Sequence, residues 1–541
     1  MSVRPIARSS AFLLLLVAAN RIGAQSTNPL LPDATVLPSR GARIRSFAAF
    51  TRADELLGAG GLRNLAAPLA IDSLGANALP LLAPAETTIR IASGLANFKL
   101  TAGNVVAIGN SRSVTAPLIL EYGVTRRVTL GVVVPLVETR TTLGYQLNPE
   151  LGRANVGLNP AFGSTASSIL TQNSAVVTSL RAAADSLRGR VTTCAATPAD
   201  PVCAPLTGQT AAIQTLLQNT GTFASAIERL YGTDEAHPGQ PLVPLAGDPA
   251  QVAIDAKFSA LQKSYQTFLT KSIVAGNLAA AVGPAANLQL QGLVTAYGRD
   301  SLASVDRSSI GDILVGATFQ IANTFPDSVV RGDRRRHVRL AGNASFRIGT
   351  GQPGSRNRMF DYGTGYGQPG IILGLAGDAQ FTPRFSASAV GNYTLQFGTV
   401  DVARVPGANY SLYPLQAGVP GTFSAGNVVE LTAIPRYRLA GHFMINGQYS
   451  LLHMAADKYT LRPDSLTTGI LPPTAPYGNA SSTAHQIGFG FSYSTAGGPE
   501  ARPGAIPYEM SFTHVETIAG SGGPLRKTFR DAIELRVYFV R

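Results

Sequence analysis

Tryptophan is absent, and the chain holds only two cysteines, five methionines and six histidines. Without tryptophan, any aromatic belt must be built from the 17 tyrosines and 22 phenylalanines. Two cysteines exclude a disulfide-dense scaffold and a multi-cysteine metal site. The histidines, at 237, 337, 442, 453, 485 and 514, are scattered without ligand spacing, so no metal site is expected. Charge is scarce as well: 14% of residues are ionic, against ~25% in soluble domains. Yet after the first twenty-five or so residues no run approaches the ~18 continuous apolar residues of a membrane helix, which excludes a helical membrane protein. Low charge without apolar runs is what a membrane β-barrel predicts, because only every second residue meets lipid.

Acidic residues are the rarer ionic class, 31 against 44 Lys and Arg. The arginines are dispersed, with no basic cluster beyond Arg334-Arg335-Arg336. A nucleic-acid surface is therefore not expected; anionic lipid headgroups and the sugar-phosphates of lipopolysaccharide fit that charge. The amino terminus has the order of a cleavable secretory signal over residues 1–24: Arg4 and Arg8, the apolar run AFLLLLVAA, then small residues before Gln25. A signal without a membrane helix leaves the periplasm, the exterior or an outer-membrane barrel. In such a compartment Cys194 and Cys203 read as a disulfide closing a short loop, with free thiols as the alternative.

The carboxyl-terminal residues 527–541 (KTFRDAIELRVYFVR) set Phe529, Ile533, Leu535, Val537 and Phe539 against Arg530, Glu534, Arg536 and Tyr538, with Asp531 breaking the apolar face. A period of two is a strand, and a long half-apolar strand at a chain end needs a partner for its edge. An ordinary terminal strand of a soluble all-β domain is the alternative. Residues 25–86 read as a lead-in or a plug in the barrel mouth. Strand text then starts at 87–94 (TTIRIASG), which is expected to pair with the closing strand, and continues at 114–122 and 126–145, where Pro135 suggests a bulge. These three strands fill 87–146. Residues 147–307 change to apolar spacings of three, four and seven around Val176, Leu180, Leu187, Ile213, Phe223, Ile227, Phe258 and Leu261, which predict an insertion of three or more amphipathic helices. It could cap, plug or project from the barrel, or pack only on itself. From 308 to 541 alternation returns for nine more strands. The total is about twelve, with fourteen as the alternative, and an even number suits a bacterial barrel.

Loop lengths sort by parity. One set of connections is mostly short (123–125, 382–384, 440–441, 497–504, with 323–335 the longest) and the other mostly long (101–113, 146–307, 351–367, 398–426, 456–481, with only 519–526 short). Short inner turns and long outer loops mark a membrane barrel. The fold class expected is therefore an all-β antiparallel outer-membrane barrel with a large helical insertion on the outer side. By strand parity Asp312, Arg339, Arg347, Asp378, Glu430, Arg436, Arg438, Glu509, Arg530, Glu534 and Arg536 point into the lumen, either as a mixed-charge constriction or as solvated or mutually paired wall residues. The glycine runs 349-351-354 and 363-365-367 are followed by no helix, so they predict an outer loop able to fold inward rather than a phosphate loop.

Three stretches, LEYGVTRRVTLGVVVPLV (120–137), GDILVGATFQI (311–321) and the RIGTGQPG…DYGTGYGQPGIILGLAGDAQF block (347–381), resemble the outer-membrane transporter family named for the MetA pathway of phenol degradation. The resemblance covers about half of the chain, the strands and not 147–305. It implies a channel for small, often hydrophobic or aromatic compounds, akin to FadL-type channels, with a small-molecule solute as partner and no cofactor. No nucleophile–base pair or metal cluster supports an enzyme. A transport channel is the leading expectation. A barrel-anchored surface protein whose insertion binds a partner is second, and a lipid-acting enzyme using a late-strand histidine is third.

Overall fold

The computed structural model describes residues 28–58, 61–67, 70–79, 82–147, 154–162, 167–269, 278–285, 304–326, 336–354, 361–405, 416–461, 480–495, 506–523 and 525–539. The expected signal segment 1–24 and the Arg334-Arg335 pair lie outside them. Twelve wall strands form one closed antiparallel meander. They are β1 (Ala42–Gly58), β2 (Val105–Thr125), β3 (Val128–Leu147) and β4, which runs in two pieces (Val305–Ile310 and Ile313–Asn323). Next come β5 (His337–Ile348), β6 (Gly370–Gln380), β7 (Phe385–Gln396) and β8 (Val428–Ala440). The wall ends with β9 (Phe443–Met454), β10 (Ser482–Ser494), β11 (Tyr508–Gly522) and β12 (Leu525–Phe539). The sheet closes where β12 pairs with β1, from Ala42 opposite Phe539 to Leu57 opposite Leu525.

The expected count holds because one stretch replaced another. Residues 87–94, expected as the first strand and the closing partner, belong instead to the helix α1 (Ala83–Ser93). Pro84 sits in its first turn, Arg90 in its last, and Gly94 caps it in the left-handed region at φ 78°. Ala85, Ile89 and Ala92 are buried at helical spacing while Ile91 is exposed; in so short a run two Ile residues fit either period. The true first strand lay unread in 25–86, because its inner face carries Arg43 and Arg45 beside the small Ala49 and Ala53, which blurs the apolar alternation. Residues 105–113, expected as loop, are the start of β2.

The outside of the wall is apolar. Leu130, Leu136, Phe346, Leu375, Phe489 and Ile533 all stand exposed at alternate positions, a surface that matches hydrocarbon. Asp531 interrupts it as the alternation foretold, and His514 on the neighbouring strand lies 2.7 Å away through Nδ1. Turns at one end are mostly short, as at residues 126–127, 381–384 and 441–442; connections at the other end are mostly long.

Two of those long connections build a single cap. The first, between β1 and β2, carries α1. The second, between β3 and β4, carries α2 (Ser167–Ala196), α3 (Thr210–Tyr231) and α4 (Pro249–Phe268). Leu74, Leu79 and Ile89 from the first connection share one buried cluster with Leu180, Phe223, Ile227 and Ile254 from the second, and the cluster reaches the strand ends at Leu56, Val105 and Leu147. The insertion therefore does not pack on itself alone. Cys194, at the end of α2, and Cys203, in the 3-10 turn Pro201–Leu206, form a disulfide with Cα atoms 5.5 Å apart. The long connections of β7–β8 and β9–β10 add a small sheet from Thr399–Val405, Gln416–Ser424 and Lys458–Leu461.

Leu535 tests the assigned outer face. Leu535→Arg places a charge on the apolar side and should cost up to about 2–4 kcal/mol near the bilayer midplane, measured by denaturant unfolding in vesicles. Unchanged stability would reverse the two faces.

Candidate functional site

The inward rows of the wall are charged. On β12 the inward positions hold Arg526, Thr528, Arg530, Glu534, Arg536 and Tyr538, since the alternate Ile533, Leu535 and Phe539 are exposed on the other face. Across the seam, Arg45 meets Glu534 at 2.7 Å, and Arg536 meets Glu534 at 3.0 Å and Glu509 at 3.8 Å. Arg43 donates twice to Glu121, at 2.6 and 2.7 Å, with both side chains only 2% exposed. That bidentate, buried geometry is the strong form of the pair. On the far wall Arg339 meets Asp378 at 2.7 Å, and Asp378 accepts a bond from Ser388 at 2.6 Å.

A segment entering from the short-turn end lies among these groups. Asn28 donates to Asn343, the Leu30 carbonyl accepts from Thr318, the Ala34 N–H donates to Asp378 and the Leu37 N–H to Thr129. Arg45 donates to the Pro29 carbonyl at 2.6 Å, and Asp33 lies 3.4 Å from Arg536. Leu30 and Leu31 seat in two small apolar clusters with Ile119, Val133 and Ile372, and with Ala341, Ala376 and Val390. Through polar contacts residues 28–37 thus reach β1, β3, β4, β5, β6 and β12, and the apolar clusters add β2 and β7. Burial alone would raise the Asp33 carboxyl, but Arg536, Arg43, Arg339 and Arg436 outweigh it and hold it well below the usual carboxylate range. Beside it, at the short-turn mouth, a cavity of about 180 Å³ is lined by Arg339, Arg384, Arg436 and Arg438 among others.

A second insert comes from the long-loop end. Opposite Pro135, which has no N–H to give the ladder, β4 breaks at Gly311 and Asp312. The exposed backbone there is taken up by the β5–β6 loop: Thr350 Oγ1 donates to the Gly311 carbonyl at 2.7 Å and accepts from the Ile313 N–H at 3.0 Å. In return the buried Asp312 carboxylate accepts the N–H groups of Gly351 (2.8 Å), Tyr366 (2.7 Å) and Gly367 (3.2 Å). The glycines permit this approach. A Cβ on Gly351 or Gly365 would come within 2.9 Å of Asp312, and Gly363 and Gly367 have φ near +60°. Arg307 holds Asp361 at 2.6 Å, Arg347 lies over the Tyr366 ring at 4.4 Å, and Arg526 lies over Tyr362 at 4.4 Å.

Of the charges expected in the lumen, Asp312, Arg347, Asp378 and Glu430 are buried, and Arg339, Arg436, Glu509, Arg530, Glu534 and Arg536 are half-buried. Arg438 is exposed at the rim of the short-turn mouth, where it lines that cavity next to a bulge in β8 between Arg438 and Ala440. Asp33, Arg43, Arg45, Glu121 and Arg526 are interior charges that parity reading missed. The signal existed in Arg43-Ile44-Arg45 and in Leu120-Glu121-Tyr122, where a charge alternates with an apolar neighbour. The late-strand histidines stand apart: His442 bonds the Ser494 carbonyl, His453 the Thr483 hydroxyl, His485 the Tyr449 hydroxyl and His514 Asp531.

No protein-family profile and no curated protein sequence matches the chain, so the resemblance to the MetA-pathway transporters has no counterpart there. Solved structures overlap it as barrels. An outer-membrane channel from Pseudomonas putida F1 is 9% identical, covering 95% of this chain and 100% of that one at a TM-score of 0.41. The P. putida toluene transporter TodX is 10% identical, covering 96% and 95% at a TM-score of 0.24. The translocator domain of the Neisseria meningitidis autotransporter NalP is 6% identical, covering 92% and 88% at 0.28. At these values the overlaps carry no argument, and the barrel rests on its own strand pairing.

Two outcomes check the inserts. Asp312→Asn removes a charged acceptor shared by three N–H groups and should loosen the loop by about 1.5–3 kcal/mol; hydrogen exchange at Gly351, Tyr366 and Gly367 should accelerate with the fold intact. For Asp33, whose carboxyl is held below its ordinary value, the stabilisation is present above the unfolded carboxyl pKa and is lost only as pH falls through the lower folded value. Protease access to residues 28–37 should therefore stay constant between pH 8 and 5; release within that window would contradict the arginine cage.

Proposed function

We propose that the chain is an outer-membrane channel that passes small solutes through a barrel held shut by two withdrawable inserts. The supporting observation is how the inner segment is held. Residues 28–37 are fixed mostly by single hydrogen bonds and ion pairs to six wall strands, with two small apolar clusters, whereas the cap has an extended apolar core. A permanent filling would be expected to pack as the cap does. Polar walls under an apolar exterior suit a water-accessible lumen in the outer membrane, where closed antiparallel barrels belong. Hydrophobic or aromatic solutes of the kind carried by FadL-type channels are the proposed cargo. Guanidinium–ring pairs inside, such as Arg347–Tyr366 and Arg530–Phe47, offer flat surfaces on which such a ring can stack.

A second reading, that the cap binds a partner and the barrel anchors it, has the cap's own core in its favour. Planar-bilayer recording separates the two. The full chain should conduct little, and deletion of residues 28–38 should raise conductance and solute uptake severalfold. If neither protein conducts or takes up solute, with the cap residues 154–285 present or removed, the channel reading falls and the anchor reading stands.

A further inference from the structure

Arg526 differs from the ion-paired interior arginines, and from Arg347, whose guanidinium donates to Gln396 and the Gln368 carbonyl. Arg43, Arg45, Arg339 and Arg536 each face a carboxylate within 4 Å. Arg526 is 7% exposed, and among the described residues no carboxylate pairs with it and its Nη2 atom has no hydrogen-bond partner. One face of the guanidinium is covered by the Tyr362 ring of the inward loop. Its surroundings are hydroxyls: Thr51, Ser111, Ser113, Thr139 and Thr528 line a cavity of about 10 Å³ with it.

Strand register explains the cluster. Thr528 lies opposite Ala53, and Ala53 opposite Ser111. In the next inward row Thr51 lies opposite Ser113, and Ser113 opposite Thr139. Four adjacent strands, β12 and β1 to β3, thus bring hydroxyls to one level of the barrel, beneath Tyr362. Among the described residues no Asp or Glu lines the cavity. Hydroxyls can turn their hydrogens toward an anion, and an uncompensated buried guanidinium is costly until a counter-charge reaches it.

We propose that this cavity is a binding site for one small monovalent anion of halide size, held by Arg526 Nη2 and the hydroxyl ring. The volume admits a single water-sized occupant, so an organic carboxylate is excluded while Tyr362 stays in place. A water there would satisfy the hydrogen bonds but leave the charge, whereas a halide does both. The site exists whether or not the barrel conducts. If it does conduct, the occupant sits against the inward loop through Tyr362 and neutralises the Arg526 charge there.

The test uses crystals of the full chain grown in sodium bromide, read by anomalous scattering. A bromine peak against Arg526 Nη2, reduced by competing chloride and lost in Arg526→Gln, is the expected result. A wild type without a peak overturns the site, as does a peak that persists in Arg526→Gln. Should that variant fail to assemble, Thr139→Val keeps a β-branched strand residue and removes one hydroxyl; the peak should weaken, and an unchanged peak counts against the ring. A bromide peak in a barrel silent in bilayers would leave the site intact while removing the channel reading.

Discussion

Closure of the sheet between β1 and β12 is the constraint on which the rest depends. In lipid an unpaired strand edge is intolerable, since no water can satisfy its N–H and C=O groups. The long register from Ala42–Phe539 to Leu57–Leu525 removes that edge. It also fixes which side chains meet inside. Arg45 reaches Glu534 only because Phe47 pairs with Glu534 and Arg45 with Arg536 in this register. Slipping the pairing by one residue would turn Arg530, Glu534 and Arg536 toward lipid. The seam is therefore both the mechanical closure and the source of the charged wall against which residues 28–37 lie.

A second chain of causes starts at Pro135. Lacking an N–H, it breaks the ladder to β4 and leaves Gly311 and Asp312 out of register. The freed backbone groups need partners, and the inward loop supplies Thr350 while Asp312 gathers three of the loop's N–H groups. Break and loop satisfy each other. That exchange carries Tyr362 and Tyr366 into the interior, where Arg526 and Arg347 meet their rings.

The cap follows from neither. Its two connections leave the barrel at the same end. Together they enclose one core that rests on the rims of β1, β2 and β3 through Leu56, Val105 and Leu147. This is why α1 is a helix although its text alternates: Ile89 is buried among helices of the second connection, and tertiary packing outweighs a short local pattern.

By itself the sequence determined the properties that repeat. Alternation over many strands sets the wall faces, loop parity sets the two ends, and spacing of three and four sets the helices, because each of these is averaged over many residues. The glycine runs, too, announced a loop able to fold inward. What only the tertiary structure decided are single choices between near-equal candidates. Residues 42–58 rather than 87–94 close the barrel, and 28–37 lie within it. Arg438 stands at the rim, while Arg43, Arg45 and Glu121 form the pairs at the seam. Those outcomes depend on register, and register is set by contacts between residues hundreds of positions apart, as Arg45 and Glu534 are. No local pattern in the chain carries that information.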